Sequence, residues 1–308
     1  MNQKDLPKVI VIAGTNASGK SALGIELAKK YGGEIISADS RQIFEGFDLC
    51  CGKVTHQERA AVYHHLLDVR KVGQPYSAAD YQKDVYAAVP QILERGHLPF
   101  IVGGTGLYIS SVVKGYEFKE QPFDTAFRDS LEEKPLEELV EMLTPQWLAF
   151  MQNNPSDIGN KRRVIRAIER ARNGEGPEPQ NSPRFNALQL GVRWDKETLD
   201  KRIDERLDTR LEQGMLDEVK NYLDAGGDPD HLYRLGLEYR YIAWYLTGKY
   251  AAFEDFKEEL ARAIKQFAGR QVTWFKKDPA IHWLDMEKDP VAQASQLIDA
   301  FLKGDITG

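Results

Sequence analysis

Residues 11–24 read VIAGTNASGKSALG, and this stretch decides the fold of the chain. Within it, Gly14 to Ser21 satisfy the pattern G-x4-G-K-[ST] in full. The apolar, β-branched run KVIVIAG predicts a buried strand before the pattern, and the apolar spacing after it predicts a helix. Glycines here let backbone N–H groups turn inward around phosphate oxygens, and the helix presents its positive end to the same anion. The sequence therefore predicts a phosphate-binding loop between a strand and a helix.

Strands and helices alternate on both sides of that loop. The segment EIISAD (residues 34–39), a run that ends at Gly103 and the segment ALQLGVRW (187–194) each predict a further strand. This alternation predicts a parallel sheet with helices on both faces. In such sheets ligands collect at the carboxyl ends of the strands. We expect three loops to converge there: Gly14 to Ser21, Ala38 to Gln42, and Gly103 to Tyr108.

The composition changes from about Lys119 to short, charged, helix-prone pieces with few β-branched residues. This change predicts a helical insertion over 119–157 within a discontinuous core domain formed by 1–118 and 158–308. The predicted fold is therefore α/β, a P-loop NTPase-like parallel sheet flanked by helices, with a helical insertion domain.

The overall composition and net charge narrow the classes of function that are possible. The chain has 308 residues, of which 42% are hydrophobic and 29% charged, as expected of a folded enzyme. The net charge of -6 argues against coating of nucleic acid, although a local basic face remains compatible with it. No apolar run approaches the roughly 18 residues that span a bilayer, and the start lacks a signal cleavage site. The adjacent Cys50 and Cys51 fit a reducing compartment. We expect a cytoplasmic protein with no membrane partner.

Several side chains around the predicted loops carry candidate chemistry. Lys20 adds a cation to the phosphate loop, and the hydroxyl of Ser21 is able to ligate magnesium. Asp39 follows the second strand, where a carboxylate either binds metal, accepts a proton or caps a turn. Thr105 lies in GGTGLY, whose glycines allow close approach to a ligand or form a tight turn.

Two basic clusters are candidate phosphate contacts. NKRRVIRAIERAR (160–172) is a predicted helix, and GRQVTWFKK (269–277) interleaves cations with aromatic residues. Cations mixed with aromatics suit phosphate backbones and unstacked bases. A solvated helix face is the alternative for the first cluster.

The order of motifs resembles one family. GTNASGKS, EIISADSRQIFEGFD, HHLLD, YSAADY, PFIVGGTGLYI, NKRRVIRAIE, LGLEYRYIAWYLTG and RQVTWFKKDP, in this order, are similar to the tRNA dimethylallyltransferases, also called tRNA isopentenyltransferases. The matches run from about Lys8 to about Asp285, and the absence of a zinc-finger extension after them leads us to expect the bacterial type.

The resemblance implies a magnesium-dependent transfer of a dimethylallyl group from dimethylallyl diphosphate to the N6 amine of an adenosine beside the tRNA anticodon. It implies that Lys20, Asp39 and Thr105 are catalytic, with Asp39 accepting the proton of the amine. Ser21 and Thr105 are the implied magnesium ligands. An arginine of DKRIDERLDTR is implied on the diphosphate, and we favour Arg206 over Arg202. The remaining implied diphosphate-binding residues are Gly14, Thr15, Asn16, Ala17, Ser18, Gly19, Lys20 and Ser21.

The resemblance also implies an RNA partner, the tRNA anticodon stem-loop, and we expect the enzyme to be a monomer. The insertion is the implied tRNA-contacting subdomain. The implied tRNA-binding residues are Ser40, Gln42, Arg162, Arg163, Arg166, Arg270, Gln271 and Lys276.

The chain departs from the family pattern in one loop and at several basic positions. Residues 50–54 read CCGKV where the family has GTAKP, so only Lys53 carries over. Ile109, Ser110, Gln266 and Gly269 stand at positions that are commonly basic.

Three other functions remain open from the residues. A free adenine nucleotide is an alternative acceptor for the same chemistry. An ATP-dependent small-molecule kinase shares the sheet and the first motif, but the downstream motifs and the missing Arg-rich lid speak against it. A nucleotide switch is disfavoured because no GTPase base-reading motif is present.

Overall fold

The computed structural model describes residues 5–118, 124–153, 155–178 and 181–308. The described residues form six strands: β1 (Lys8–Ala13), β2 (Gly33–Ser37), β3 (His64–His65), β4 (Leu98–Gly103), β5 (Asn186–Arg193) and β6 (Ile281–Asp285).

The helices before the middle of the chain are α1 (Lys20–Tyr31), α2 (Asp48–Cys51), α3 (His56–Ala61), α4 (Ala78–Glu94), α5 (Gly106–Val113), α6 (Thr125–Glu132), α7 (Leu136–Glu141) and α8 (Pro145–Gln152). The later helices are α9 (Pro155–Ile158), α10 (Lys161–Arg172), α11 (Lys196–Glu212), α12 (Met215–Asp224), α13 (Pro229–Leu235), α14 (Leu237–Leu246), α15 (Phe253–Phe275) and α16 (Pro290–Lys303).

The strands form one parallel sheet in the order β3-β2-β4-β1-β5-β6. Strand β1 lies between β4 and β5, with Ile10 opposite both Phe100 and Leu188. The predicted α/β fold with a parallel sheet is confirmed, and each of the four predicted strands is present. Strands β3 and β6 were not predicted, because β3 has two residues and the mixed pattern IHWLD of β6 is short.

Both faces of the sheet are covered, which explains why its central strands are almost continuously apolar. On one face Val9 and Val11 pack with Val85 of α4. On the other face Ile10 and Ile12 pack with helices α1 and α16. Helices α11 to α15 add a third apolar cluster that includes Ala17 of the phosphate loop. This cluster positions α11 and α15 beside the loop.

The chain divides into two compact units. One comprises the chain up to Gly115 and from Pro183 onward, and the other is Tyr116–Ser182. The second unit is longer than the predicted insertion of 119–157, and the core is correspondingly shorter than the predicted 1–118 and 158–308. The physical reason is that α10, which the sequence analysis assigned to the core, belongs to the second unit. Residues 119–123 lie outside the described residues.

The second unit has an apolar core of its own. Val164 and Ile168 of α10 are buried in one cluster with Leu131, Leu139 and Trp147 of helices α6, α7 and α8. These side chains fix α10 within the unit and leave Arg162, Arg163 and Arg166 exposed.

In the part of the chain that the structure describes, no helix combines the length and the apolar character that crossing a bilayer requires.

Candidate active site

The predicted phosphate-binding loop joins β1 to α1. Gly19 precedes α1 with a φ of 84°, a conformation that favours glycine. Gly14 has no room for a side chain, since an added Cβ would collide with Val192 Cγ2 and lie 2.8 Å from Ser18 Oγ. Trp194 and Arg202 brace the loop from outside by donating to the carbonyls of Ser18 and Ala17, at 2.9 and 3.0 Å. Neighbouring elements therefore hold the loop in its cradle form.

Lys20 is a buried cation at this loop. Its Nζ donates to the Thr15 carbonyl at 3.1 Å. Burial lowers the pKa of Lys20 to about 8, Asp39 opposes this shift, and Arg206 and Arg210 add to it. The ammonium is thus destabilised by its surroundings, and an anion would relieve the cost.

Arg206 and Arg210 lie one turn apart on α11 and crowd the same space. Their guanidinium groups pack over Gly52, where an added Cβ would collide with both. Burial and the charge of Arg210 lower the pKa of Arg206 to about 10, while Glu238 and Asp39 act in the opposite direction. Like charges held together in a half-buried site are typical of anion binding.

Two residues of this cluster, Arg210 and Glu238, were not predicted from the sequence. The spacing of Arg206 and Arg210, four residues apart on a predicted helix, was the signal that could have identified Arg210. Glu238 gave no such signal, because nothing local to α14 shows that it faces α11.

A cleft of about 440 Å³ opens beside the loop. Its lining includes residues 17–22 of the loop, residues 52–54, Arg202 and Arg206. Arg202 also stacks over Trp194 at 4.6 Å, so its guanidinium is partly engaged in bracing.

Lys53 is the one residue of its loop that matches the family pattern. Its ammonium group is bonded to the protein itself. Its Nζ donates to the carbonyls of Phe44 and Gly46 and to Asp48 Oδ1, at 2.8, 2.6 and 2.8 Å. The lysine therefore fixes the loop before α2, and its neighbour Gly52 makes room for the two arginines.

The other two predicted loops converge as expected. The amide N–H of Gly14 donates to the Gly103 carbonyl at 3.2 Å, and that of Thr105 donates to the Ala38 carbonyl at 3.0 Å. Thr105 Oγ1 accepts from the amide N–H of Ser40 at 2.9 Å. These bonds set Asp39 and Thr105 at the carboxyl end of the sheet next to the phosphate loop.

Asp39 is half-buried and oriented by its own turn. Its Oδ1 accepts from the amide N–H of Arg41 at 2.9 Å. Its charge acts on both Lys20 and Arg206. The Asp39 carboxylate is therefore close enough to these two cations to stabilise their charges.

Two predicted RNA contacts are engaged inside the protein. Gln271 of α15 is buried, and its Oε1 accepts from the amide N–H of Asn16 at 3.1 Å while its Nε2 donates to the Gly104 carbonyl at 2.8 Å. Gln42 Oε1 accepts from Ser37 Oγ at 2.8 Å, and its Nε2 donates to the Gly52 carbonyl at 3.3 Å. The side-chain amides of Gln271 and Gln42 therefore hold the loops of the site in place through hydrogen bonds.

Apart from Ser40, which lies in the Asp39 turn and whose amide N–H bonds Thr105, the other predicted RNA contacts are exposed cations. Arg270 and Lys276 lie on α15 and at its end. Arg162, Arg163 and Arg166 lie on α10, within the second unit. Arg163 pairs with Asp157, and Arg166 Nη1 lies 3.5 Å from Glu169 Oε2.

The side chains at the cleft suit magnesium. Among the described residues there is no group of three or more His, Cys, Asp or Glu that could hold a metal ion. Magnesium is commonly held by one or two protein ligands together with substrate phosphates and water. Ser21 lines the cleft next to Lys20, and the Asp39 carboxylate is close enough to act on Lys20. This sparse oxygen set fits an ion that arrives with a diphosphate.

Comparison with known proteins shows the family of the chain. The family model described as IPP transferase matches residues 42–278. The chain belongs to the IPP transferase family. This IPP transferase is 40% identical over 296 residues to tRNA dimethylallyltransferase 2 of Shewanella sediminis, covering 94% of this chain and 97% of the relative. A second relative, tRNA dimethylallyltransferase 2 of Citrifermentans bemidjiense, is 39% identical and covers 95% of each chain.

Solved structures agree with the fold of this IPP transferase. The tRNA isopentenylpyrophosphate transferase of Bacillus halodurans is 30% identical with a TM-score of 0.73, covering 96% of this chain and 97% of that chain. A eukaryotic dimethylallyltransferase acting on tRNA is 26% identical with a TM-score of 0.74, covering 97% and 80%. The predicted family, enzyme class and P-loop NTPase-like fold are confirmed.

Proposed function

We propose that this IPP transferase moves the dimethylallyl group of dimethylallyl diphosphate to the N6 amine of an adenosine beside the tRNA anticodon. The observation that carries the proposal is the cluster of Lys20, Arg206 and Arg210, three buried or half-buried cations whose charges interact next to the phosphate loop, with the Asp39 carboxylate acting on Lys20 and Arg206. Lys20 and Arg206 line the cleft. The reaction breaks the bond between the allylic carbon and the diphosphate oxygen, and it forms a bond from that carbon to nitrogen.

The cation cluster acts on the leaving group. Breaking the allylic carbon–oxygen bond leaves negative charge on the diphosphate, and preorganised cations stabilise charge as it develops. Lys20, the backbone N–H groups of the loop from Gly14 to Ser21, and Arg206 hold the diphosphate. Arg202 is engaged with Trp194 and the loop, which supports Arg206 as the diphosphate ligand.

Magnesium is the proposed cofactor, and the hydroxyls of Ser21 and Thr105 are its proposed ligands. When bound, the ion would neutralise charge on the diphosphate oxygens. The hydroxyl of Thr105 already accepts a bond from Ser40, so the main role of Thr105 on the protein side is to hold the Asp39 turn next to the cleft.

Asp39 acts on the acceptor. An aromatic amine is a weak nucleophile, and it must lose a proton as the new bond forms. The Asp39 carboxylate is oriented by the Arg41 amide and is free to accept that proton on its other oxygen. The proton therefore moves from N6 to Asp39 as the diphosphate leaves.

The RNA contacts are proposals of the same kind. Arg270 and Lys276 in one unit, and Arg162, Arg163 and Arg166 in the other, are exposed cations suited to phosphates. Ser40 lies beside Asp39, where it would contact the acceptor base. Gln42 and Gln271 would act on RNA through the loops that they hold. A monomer in the cytoplasm remains our expectation.

Labelled dimethylallyl diphosphate offered with unmodified tRNA, with AMP, or with neither tests the proposal. We expect label on tRNA, at an adenosine next to the anticodon, and only in the presence of magnesium. Label on AMP alone would instead show a free-nucleotide acceptor. Rapid ATP hydrolysis without any use of the isoprenoid donor would show a kinase-like enzyme, and either result would overturn the proposal.

A further inference from the structure

The indole of Trp274 is an exposed aromatic group at the rim of the active site. It lies on α15 and is 43% exposed, which is unusual for so large an apolar side chain. Leu107, at the start of α5, is 46% exposed. Exposed apolar side chains that occur together at a site commonly mark an interaction surface.

The position of this indole is fixed by its neighbours. Gly106 directly follows Thr105, and an added Cβ there would collide with Cδ1 and Nε1 of the Trp274 indole. One side of the ring therefore packs on backbone next to Thr105. Gln271, three residues earlier on α15, is bonded to the phosphate loop and to Gly104. The indole is thus a rigid element beside the catalytic loops.

The same face of α15 carries a repeated pattern of rings and cations. Phe267, Arg270 and Trp274 are spaced three and four residues apart and so share one side of the helix. The Arg270 guanidinium lies 5.6 Å from the centre of the Phe267 ring. Asp278, an acid just beyond the helix, has its charge paired with Lys114 at 3.2 Å. The face is therefore apolar and positively charged, and we call it the α15 platform.

We propose that the α15 platform stacks the bases next to the target adenosine, and that Trp274 is the residue that makes RNA a better acceptor than a free nucleotide. This inference rests on the proposed function. An adenosine that enters a catalytic site must leave its stack, which uncovers the faces of its neighbours. An aromatic side chain that covers such a face recovers part of the lost stacking, whatever the base. AMP has no neighbouring base and gains nothing from the platform.

Substitution of Trp274 tests the platform directly. With an anticodon stem-loop RNA as acceptor, we expect Trp274→Ala to raise KM about 5- to 100-fold, the usual effect of removing one base–aromatic stack. We expect kcat and the Kd of dimethylallyl diphosphate to change less than about twofold, because the indole contacts neither reacting group. Trp274→Phe, which keeps a ring, should recover most of the affinity.

A control variant and a modified RNA separate stacking from damage to the fold. Leu302→Ala removes a similarly exposed apolar side chain from α16 and should leave KM unchanged. In the modified RNA, the nucleotides flanking the target adenosine lack their bases. If the platform stacks these bases, Trp274→Ala and base removal will not be additive, and the variant will lose little on the modified RNA.

Three outcomes would overturn the inference. The first is an unchanged KM for the stem-loop in Trp274→Ala, and the second is an equal loss on intact and base-free RNA. The third is a loss of donor affinity equal to the loss of RNA affinity, which would show a structural role. If the unsubstituted enzyme transfers nothing to any stem-loop RNA, the proposed function itself fails, whatever Trp274 does.

Discussion

Two charged clusters lie at opposite ends of β2, and they differ in how fully their charges are satisfied. At the start of the strand, Glu34 is buried and receives bonds from Arg95 Nε and Nη2 at 2.8 and 2.7 Å. His65 Nε2 and His97 Nδ1 each lie 2.6 Å from its oxygens. Hydrogen bonds from Arg95 are the main reason that the pKa of Glu34 falls to about 2.

Beyond the other end of β2, Asp39 faces Lys20, Arg206 and Arg210. There the cations outnumber the acids, and burial lowers the pKa of Lys20 to about 8 and that of Arg206 to about 10. The Glu34 cluster is complete within the protein, whereas the Lys20 cluster is suited to an incoming anion. The contrast separates charge that stabilises the fold from charge that serves a ligand.

The largest expected effect comes from Asp39. Because the carboxylate accepts the proton of the amine, Asp39→Asn should lower kcat about 10²- to 10⁴-fold. The melting temperature should change little, since the amide keeps the shape of the side chain, and donor binding should not weaken, because a negative charge next to Lys20 and Arg206 is removed. Steady-state kinetics and thermal unfolding measure both, with the exposed Asp230→Asn as control. A kcat within a factor of three of the original enzyme would exclude Asp39 as the base.

The pH dependence of stability tests whether the pKa of Lys20 is lowered in the folded protein. Its pKa is about 8 in the folded protein and 10.5 ordinarily, so the unfolded state binds more protons between these values. The free energy of unfolding should therefore rise with pH across pH 8 to 10.5, by up to about 3 kcal/mol. Urea titrations of the original protein and of Lys20→Met measure the difference. If the unfolding free energies of both proteins change equally with pH, the pKa of Lys20 is not lowered by folding.

The Glu34 cluster should respond to substitution in the opposite way to Lys20, and its dependence on pH should lie in the acidic range. Glu34→Gln removes a charged acceptor from three donors and should cost about 2 kcal/mol of unfolding free energy. Since the folded pKa of Glu34 is lowered, its contribution is present above the ordinary pKa of about 4.3 and is lost as pH falls towards 2.

Denaturant titrations at pH 7 and pH 3 measure these changes, with exposed Glu94→Gln as the matched control. Activity per folded molecule should stay unchanged in Glu34→Gln. A stable variant with weakened donor binding would contradict the assignment of this cluster to the fold.

The smallest effect concerns Arg210. Removing one of the crowded cations should weaken binding of dimethylallyl diphosphate about tenfold in Arg210→Gln, because a charged hydrogen bond to phosphate is lost. The stability of the free protein should change little, because relief of the repulsion with Arg206 offsets the lost attraction to the buried Glu238. Calorimetry measures the donor Kd, and Lys201→Gln, an exposed cation on the same helix, is the control. An unchanged Kd would show that Arg206 binds the donor without Arg210.

The sequence predicted the parts of this enzyme that local patterns encode. The glycine loop, the four main strands and the convergence of three loops all follow from motifs and strand ends. The pairing of Gln271 with Asn16 joins residues 255 positions apart, and no local pattern reports it.

The unit boundary was missed for a related reason. Helix α10 has one basic and one apolar face, and the sequence does not state which other helices bury the apolar face. Its contacts with Leu131 and Trp147 decide that it belongs to Tyr116–Ser182.

Gln271 has a consequence for how the binding of one substrate affects the other. Its amide touches the loop that would hold the donor, and Trp274, less than one turn away, would meet the acceptor. A movement of α15 when RNA docks would reach Asn16 through a single side chain. Thermodynamic linkage then requires that each substrate alter the affinity for the other by the same factor. Cooperativity between donor and acceptor would thus depend on the position of one helix, α15, which carries both Gln271 and Trp274.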